Sequence, residues 1–183
     1  MKTTKNSFMR ICAIMLLLLS VSFSTMASDA TTWGLKGPVK YVSNIGISIL
    51  NGSSASFNKQ GKATSISGCS SIKRSNGKIS YMEYYNDGYE CYFPAYFYYS
   101  NGKLSNIKFY SDDCEYKTKV SYNSKGAVSK ESQTAVYLYE NVNMGSENTS
   151  YQYISYDRYG NWTKRIEKTS YGNSTQTRKI TYY

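Results

Sequence analysis

Tyr116-Lys117-Thr118-Lys119-Val120-Ser121-Tyr122-Asn123-Ser124-Lys125-Gly126 is a strand running into a turn. Tyr116, Thr118, Val120 and Tyr122 fall on one face of an extended chain, with Lys117, Lys119 and Ser121 on the other. That two-residue period marks a half-covered β-strand. The tip that follows ends in Gly, which takes positive φ without steric cost, and Asn tolerates it nearly as well. The phrase returns as Phe57-Asn58-Lys59-Gln60-Gly61-Lys62, Tyr99-Ser100-Asn101-Gly102-Lys103 and Tyr156-Asp157-Arg158-Tyr159-Gly160-Asn161-Trp162. A shorter form is Arg74-Ser75-Asn76-Gly77-Lys78. Each copy reads as the tip of a β-hairpin. Lys78 to Tyr85 leads into another turn at Asn86-Asp87-Gly88 and resumes at Tyr89 to Phe93.

Working outward, the fold class is all-β: an antiparallel meander of stacked hairpins forming one long twisted or curled sheet. Pro38 and Pro94 are the only prolines, so the ladders run largely unbroken. No segment after the first 27 residues carries a 3.6-residue apolar period, which predicts little helix. Tyrosine outnumbers every aliphatic residue type in that region. Its ring packs while its hydroxyl stays wet, so the sheet is expected to be thinly covered, without a deep dry core. Asn141 to Asn148 reads as an extended loop or hairpin tip, and Asn51 to Ser56 as a second flexible stretch.

Residues 1–27 read as a cleaved secretory signal peptide. Lys2, Lys5 and Arg10 precede the apolar run Ile11 to Val21, and Ser24-Thr25-Met26-Ala27 supplies small residues for cleavage. The expected product is a single domain, residues 28–183, exported to the periplasm or beyond. Of 22 basic residues 19 then remain against 12 acidic ones, so the net charge falls from +10 to +7. Cys69, Cys91 and Cys114 also remain. In an oxidising compartment they allow one internal bridge, for which Cys91 and Cys114 are the candidates, or three free thiols.

The chain resembles the secreted YD-repeat (Rhs-like) β-proteins of Gram-negative bacteria. The resemblance is carried by Leu35-Lys36-Gly37-Pro38-Val39-Lys40, by the aromatic-turn-Gly phrases and above all by Tyr156 to Arg165. The ending Thr177-Arg178-Lys179-Ile180-Thr181-Tyr182-Tyr183 fits the same pattern. It implies stacked antiparallel hairpins, repeats that usually serve as shell, scaffold or binding surface, and no catalytic residue carries over from it; no cofactor is expected.

The chemistry is bounded mainly by what is missing. Without histidine the usual Ser-His-Asp and Cys-His nucleophile systems are excluded, and so is the commonest metal ligand. Three cysteines cannot make a four-thiolate zinc site. No metal site is expected, since Asp112-Asp113-Cys114-Glu115 lacks the spacing of a calcium loop. Six of the twelve acids, Glu83, Asp87, Glu90, Asp112, Asp113 and Glu115, lie close in sequence. A carboxylate pair among them could cleave a glycoside. The blander reading makes the Asp residues turn formers and the Glu side chains solvated. Lysines are dispersed rather than clustered, which speaks against nucleic acid and for general attraction to anionic polysaccharide or membrane surface. Tyr89, Tyr92, Tyr96 and Tyr98, in the aromatic run 89–99, are the candidate ligand-binding residues for a glycan, a peptide or a cell-envelope component. The alternative is that these rings form the sheet's own core. An outer-membrane barrel is disfavoured because the strands lack a lipid-facing apolar side. The expectation is a non-enzymatic binding or structural module, with a carbohydrate-binding or glycan-cleaving protein as the alternative. A homodimer through exposed sheet edges fits either.

Overall fold

The computed structural model describes residues 28–183; the segment 1–27 that reads as an export signal lies outside the described residues. One helical turn, α1 (Asp29–Thr32), opens it, capped by the Ser28 side chain. Three short strands follow: β1 (Val39–Val42), β2 (Ala55–Phe57) and β3 (Ala63–Ile66), with a 3-10 turn at Ser48–Leu50. Nine strands then form an antiparallel meander in chain order: β4 (Cys69–Ser75), β5 (Lys78–Asn86), β6 (Cys91–Ser100), β7 (Lys103–Ser111), β8 (Cys114–Tyr122), β9 (Val128–Tyr137), β10 (Val142–Tyr156), β11 (Trp162–Thr169) and β12 (Gly172–Thr177). This sheet is open, with β4 and β12 at its edges. The last strand, β13 (Ile180–Tyr182), returns to pair with β1 and completes a four-stranded sheet in the order β13-β1-β2-β3.

The turns form as the repeated phrase predicts. Asn76-Gly77 and Asn101-Gly102 are two-residue loops with positive φ at both positions, the twist that matches antiparallel strands. The longer copies share a different geometry. Asn58, Asn123 and Asp157 each accept two backbone N–H bonds on Oδ1, from the second and fourth residues onward, at 2.9–3.1 Å.

Beyond each turn the register slips by one residue. Thr64, Ser80, Ser105, Ser129 and Thr163 are the extra residues of five β-bulges, each at the same place in the phrase Gly-x-apolar-Ser/Thr-x-x. Three of these hydroxyls donate back to the facing strand, Thr64 to Ser56 O, Ser80 to Lys73 O and Ser105 to Tyr98 O. The bulge turns residues three apart onto one face, so Ala63 and Ile66, Ile79 and Met82, and Leu104 and Ile107 are all buried.

That device corrects the expectation of a thin core. Residues 30–66 lie over the inner face of the large sheet. Trp33, Leu35, Val39, Val42, Ile45, Ile47 and Leu50 join Ile79, Met82, Ala95, Phe97, Leu104, Ile107 and Val120 in one buried cluster. Few aliphatic residues suffice because the bulges aim them at a common cover. A second correction concerns Asn141 to Asn148. Only Leu138–Asn141 form a turn; from Val142 onward the chain pairs with β9, as far as Ser150↔Lys130. Its polar composition is outweighed by a complete partner strand.

Candidate functional site

At the glycine-tipped end the hairpins splay apart. Each hairpin pairs up to its own turn, but the seams between hairpins stop early, at Tyr81↔Tyr96, Asn106↔Lys119 and Ser150↔Lys130. Carbonyls facing those open seams are met by tyrosine hydroxyls instead. Tyr99 donates to Ile79 O and Tyr122 to Leu104 O, both at 2.7 Å, and Tyr153 donates to Val128 O. The first seam leaves a hollow of about 390 Å³ lined by Ser75, Lys78, Ser80, Tyr96 and Tyr98. A second hollow of about 350 Å³, with Tyr98, Asn106, Lys108 and Lys117, lies on the far side of Tyr98.

The structure separates the aromatic run 89–99 by strand parity. Phe93, Ala95, Phe97 and Tyr99 turn inward, as the packing alternative has it. Tyr92, Tyr96 and Tyr98 point outward and are 52%, 36% and 50% exposed. Tyr81 and Tyr96 meet edge to face at 5.3 Å, Tyr85 and Tyr92 at 5.2 Å, and Tyr96 and Tyr110 at 6.4 Å. Lys73 lies over Tyr81 and Lys108 over Tyr110, at 4.7 and 5.1 Å. Tyr81, Tyr96 and Tyr110 make one run of rings on the outer face, edged by amines, and the Tyr85–Tyr92 pair stands beyond the Glu83–Pro94 row. Tyr89 joins neither: in the turn before β6, it donates to Asp112 at 3.3 Å and packs against Phe93.

Two of the acids, Glu83 and Glu115, are held rather than free, whereas Glu90 is exposed in its turn. Glu83 accepts from Ser71 and Tyr81, which hold its carboxyl below the usual range. Glu115 accepts from Lys108, Lys117 and Tyr110, and the two amines first of all pull it down to about 2. The reading of both as simply solvated is therefore corrected. Glu83 on β5 and Glu115 on β8 are three strands apart, about 14 Å at ordinary strand spacing. Glycosidase carboxyls stand about 5–9.5 Å apart. Asp112 occupies a turn at positive φ, as its residue type suggests. No group of three or more Cys, Asp or Glu among the described residues is arranged to hold a metal ion. Cys69, Cys91 and Cys114 are free thiols; Cys91 is exposed at the start of β6, and Cys114 is half-buried at the start of β8.

A second constellation escaped the sequence reading. In the bulge phrase the sixth residue is Ile66, Met82 or Ile107, each in the core. The fourth and fifth copies put Glu131 and Arg165 there, 2% and 1% exposed. Both Glu131 oxygens lie within reach of the Ser48 N–H, and burial pushes the carboxyl up. Arg165 is clasped between Tyr151 and Trp162, at 3.7 and 4.4 Å, and its Nε donates to Gln176. Arg178 covers Trp162 at 4.0 Å and donates to its carbonyl. Burial, and next the neighbouring Arg165, pull Arg178 below the usual guanidinium range. Asn161, also buried, clamps the Lys36 backbone by two bonds, at 2.7 and 2.8 Å, and donates to Tyr182. Aligning the five glycine-led phrases would have exposed Glu131 and Arg165 as charges in an apolar column.

No family model matches the chain, and no curated protein is similar to it at a significant level.

Proposed function

We propose that this chain is an exported, non-catalytic binding module of the YD-repeat kind, and that it binds a polysaccharide on the outer face of its large sheet. The observation that carries the reading is the exposure of Tyr92, Tyr96 and Tyr98 on one face, the last two beside hollows, while alternate residues of the same strand supply the core. Flat rings accept the C–H faces of sugars, and Asn106 with Lys108 and Lys117, which share the single carboxylate of Glu115, adds hydrogen bonds and one net positive charge for acidic units. The common turn geometry of Asn58, Asn123 and Asp157 supports the resemblance to YD-repeat proteins. The pattern of residues 1–27 supports export. The wide separation of Glu83 and Glu115 favours binding over cleavage.

A glycan array followed by affinity electrophoresis tests this. The wild-type protein should retain a specific polysaccharide. Tyr96→Ala and Tyr98→Ala should each weaken retention about tenfold, equivalent to about 1.4 kcal/mol. A flat array for the wild type overturns the reading, and so does retention unchanged in both variants.

A further inference from the structure

We propose that the small cavity between Trp33, Gly46 and Arg165 binds one monoatomic anion, of which chloride is the common example, and that this ion fastens the N-terminal segment to β11. The cavity measures about 10 Å³, room for a single particle of water or halide size. Three buried side-chain nitrogens of its lining residues have no partner: Trp33 Nε1 and both terminal nitrogens of Arg165. All three are donors. Tyr153, the lining residue with a hydroxyl, donates its proton to the Val128 carbonyl and keeps its oxygen as an acceptor within the influence of Arg165. Ile45, Ile47 and Val128 supply the apolar remainder.

Charge selects the occupant. Arg165 and Arg178 cover the same Trp162 ring, so two guanidiniums share one buried pocket of the fold. Glu131 feels the charge of Arg165, and Asp157 acts on Arg178, but neither acid makes a direct ion pair with a guanidinium among the described residues; the Glu131 oxygens face the Ser48 N–H. Buried charge compensated only at a distance is costly. A water molecule would bring two protons, for which Tyr153 is the one side-chain acceptor in the lining, whereas a halide accepts only and cancels one positive charge. Gly46 keeps the space open: a Cβ there would stand 2.6 Å from the Trp162 ring and 3.3 Å from Arg165 Nη2. The inference is independent of the outer-face reading, since it uses the opposite side of the sheet.

Crystals soaked in sodium bromide provide the direct test. An anomalous peak within hydrogen-bond reach of Trp33 Nε1 and the Arg165 terminal nitrogens is the expected result. In solution, the thermal midpoint at fixed ionic strength should rise as a bulky organic anion is exchanged for chloride. Trp33→Phe, which keeps a ring and removes one donor, should weaken the apparent halide affinity about tenfold, and Arg165→Met should abolish the response. Density that refines as water with no bromide signal overturns the proposal. A midpoint that follows ionic strength alone overturns it as well, as does a Trp33→Phe response equal to wild type.

Discussion

Tyr99 shows how a polar aromatic side chain takes the place of an aliphatic one in this protein: its ring packs against the core while its hydroxyl satisfies the Ile79 carbonyl where β5 and β6 have parted. Burial pushes that hydroxyl well above its usual titration range, so it remains a donor throughout the accessible pH range. Tyr99→Phe keeps the ring and orphans the carbonyl. Urea unfolding should therefore report a loss of about 1 kcal/mol with an unchanged slope. Tyr122→Phe, the equivalent change in the next hairpin, should lose a similar amount. Glu115 obeys a different logic, that of an ionised acid held by two amines. An ordinary glutamate titrates near 4.5, and here the carboxyl falls to about 2. A lowered carboxyl contributes stability that is fully present above the unfolded value and disappears as pH falls toward the folded one. Glu115→Gln should therefore cost stability at neutral pH, about 0.5–1 kcal/mol for a pair at the surface. It should also shrink the drop in melting temperature between about pH 5 and pH 2. An undiminished acid drop in the variant would place the acid sensitivity elsewhere.

At the scale of the element, two glycines with the same backbone and different surroundings separate conformational strain from crowding. Gly102 and Gly46 both stand at φ +78, yet nothing lies within 4 Å of a Cβ at Gly102, whereas one at Gly46 collides with Trp162 at 2.6 Å. Gly102→Ala should cost about 1 kcal/mol, from left-handed backbone alone. Gly46→Ala should cost about 3 kcal/mol or more, because Trp162 is locked between two guanidiniums and cannot yield. Equal losses in chemical denaturation would refute that distinction. The same contrast explains what the chain discloses on reading. Hairpin tips depend on adjacent residues, so Asn76-Gly77 and Asn101-Gly102 declare themselves, and so does the clean alternation of β8. The bulges at Ser80 and Ser105 are also written locally, but they break the two-residue period, so Ile79 and Met82 seem to point to opposite faces. Pairing of β13 with β1 joins residues some 140 positions apart and leaves no local mark. Glu131 and Arg165 look like ordinary surface charges until the glycine-led phrases are aligned. At the outer face, Tyr92, Tyr96 and Tyr98 were legible because parity within one strand selects them together. Tyr89 lay beyond the strand, and parity did not apply to it.

At the scale of the whole molecule, the meander sorts its turns to two ends, and charge follows the sorting. Lys36, Lys59, Lys62, Lys78, Lys103, Lys125 and Arg158 sit in or beside the glycine-tipped turns and the loop packed against them. Asp87, Glu90, Asp112, Asp113 and Glu140 occupy the turns at the opposite end, which carry no Lys or Arg. Several of the basic amines are held in place over rings: Lys78 over Tyr99, Lys103 over Tyr122 and Lys125 over Tyr156, at 5.1–5.3 Å. A molecule charged in this way should meet a polyanionic surface with its glycine-tipped end first, because each amine near such a surface contributes up to about 1 kcal/mol. Net charge alone would give an attraction of the same sign, so the prediction concerns position. Lys103→Glu with Lys125→Glu should lower the salt needed to elute the protein from a sulfated-polysaccharide column. Lys119→Glu with Lys168→Glu changes net charge by the same amount, on the broad face and toward the acidic end, and should lower it markedly less. Screening makes both effects fade as ionic strength rises, since the Debye length is about 8 Å at physiological salt. Elution shifts of equal size in the two double variants would mean that the protein is attracted as a uniformly charged body and that its polarity plays no part.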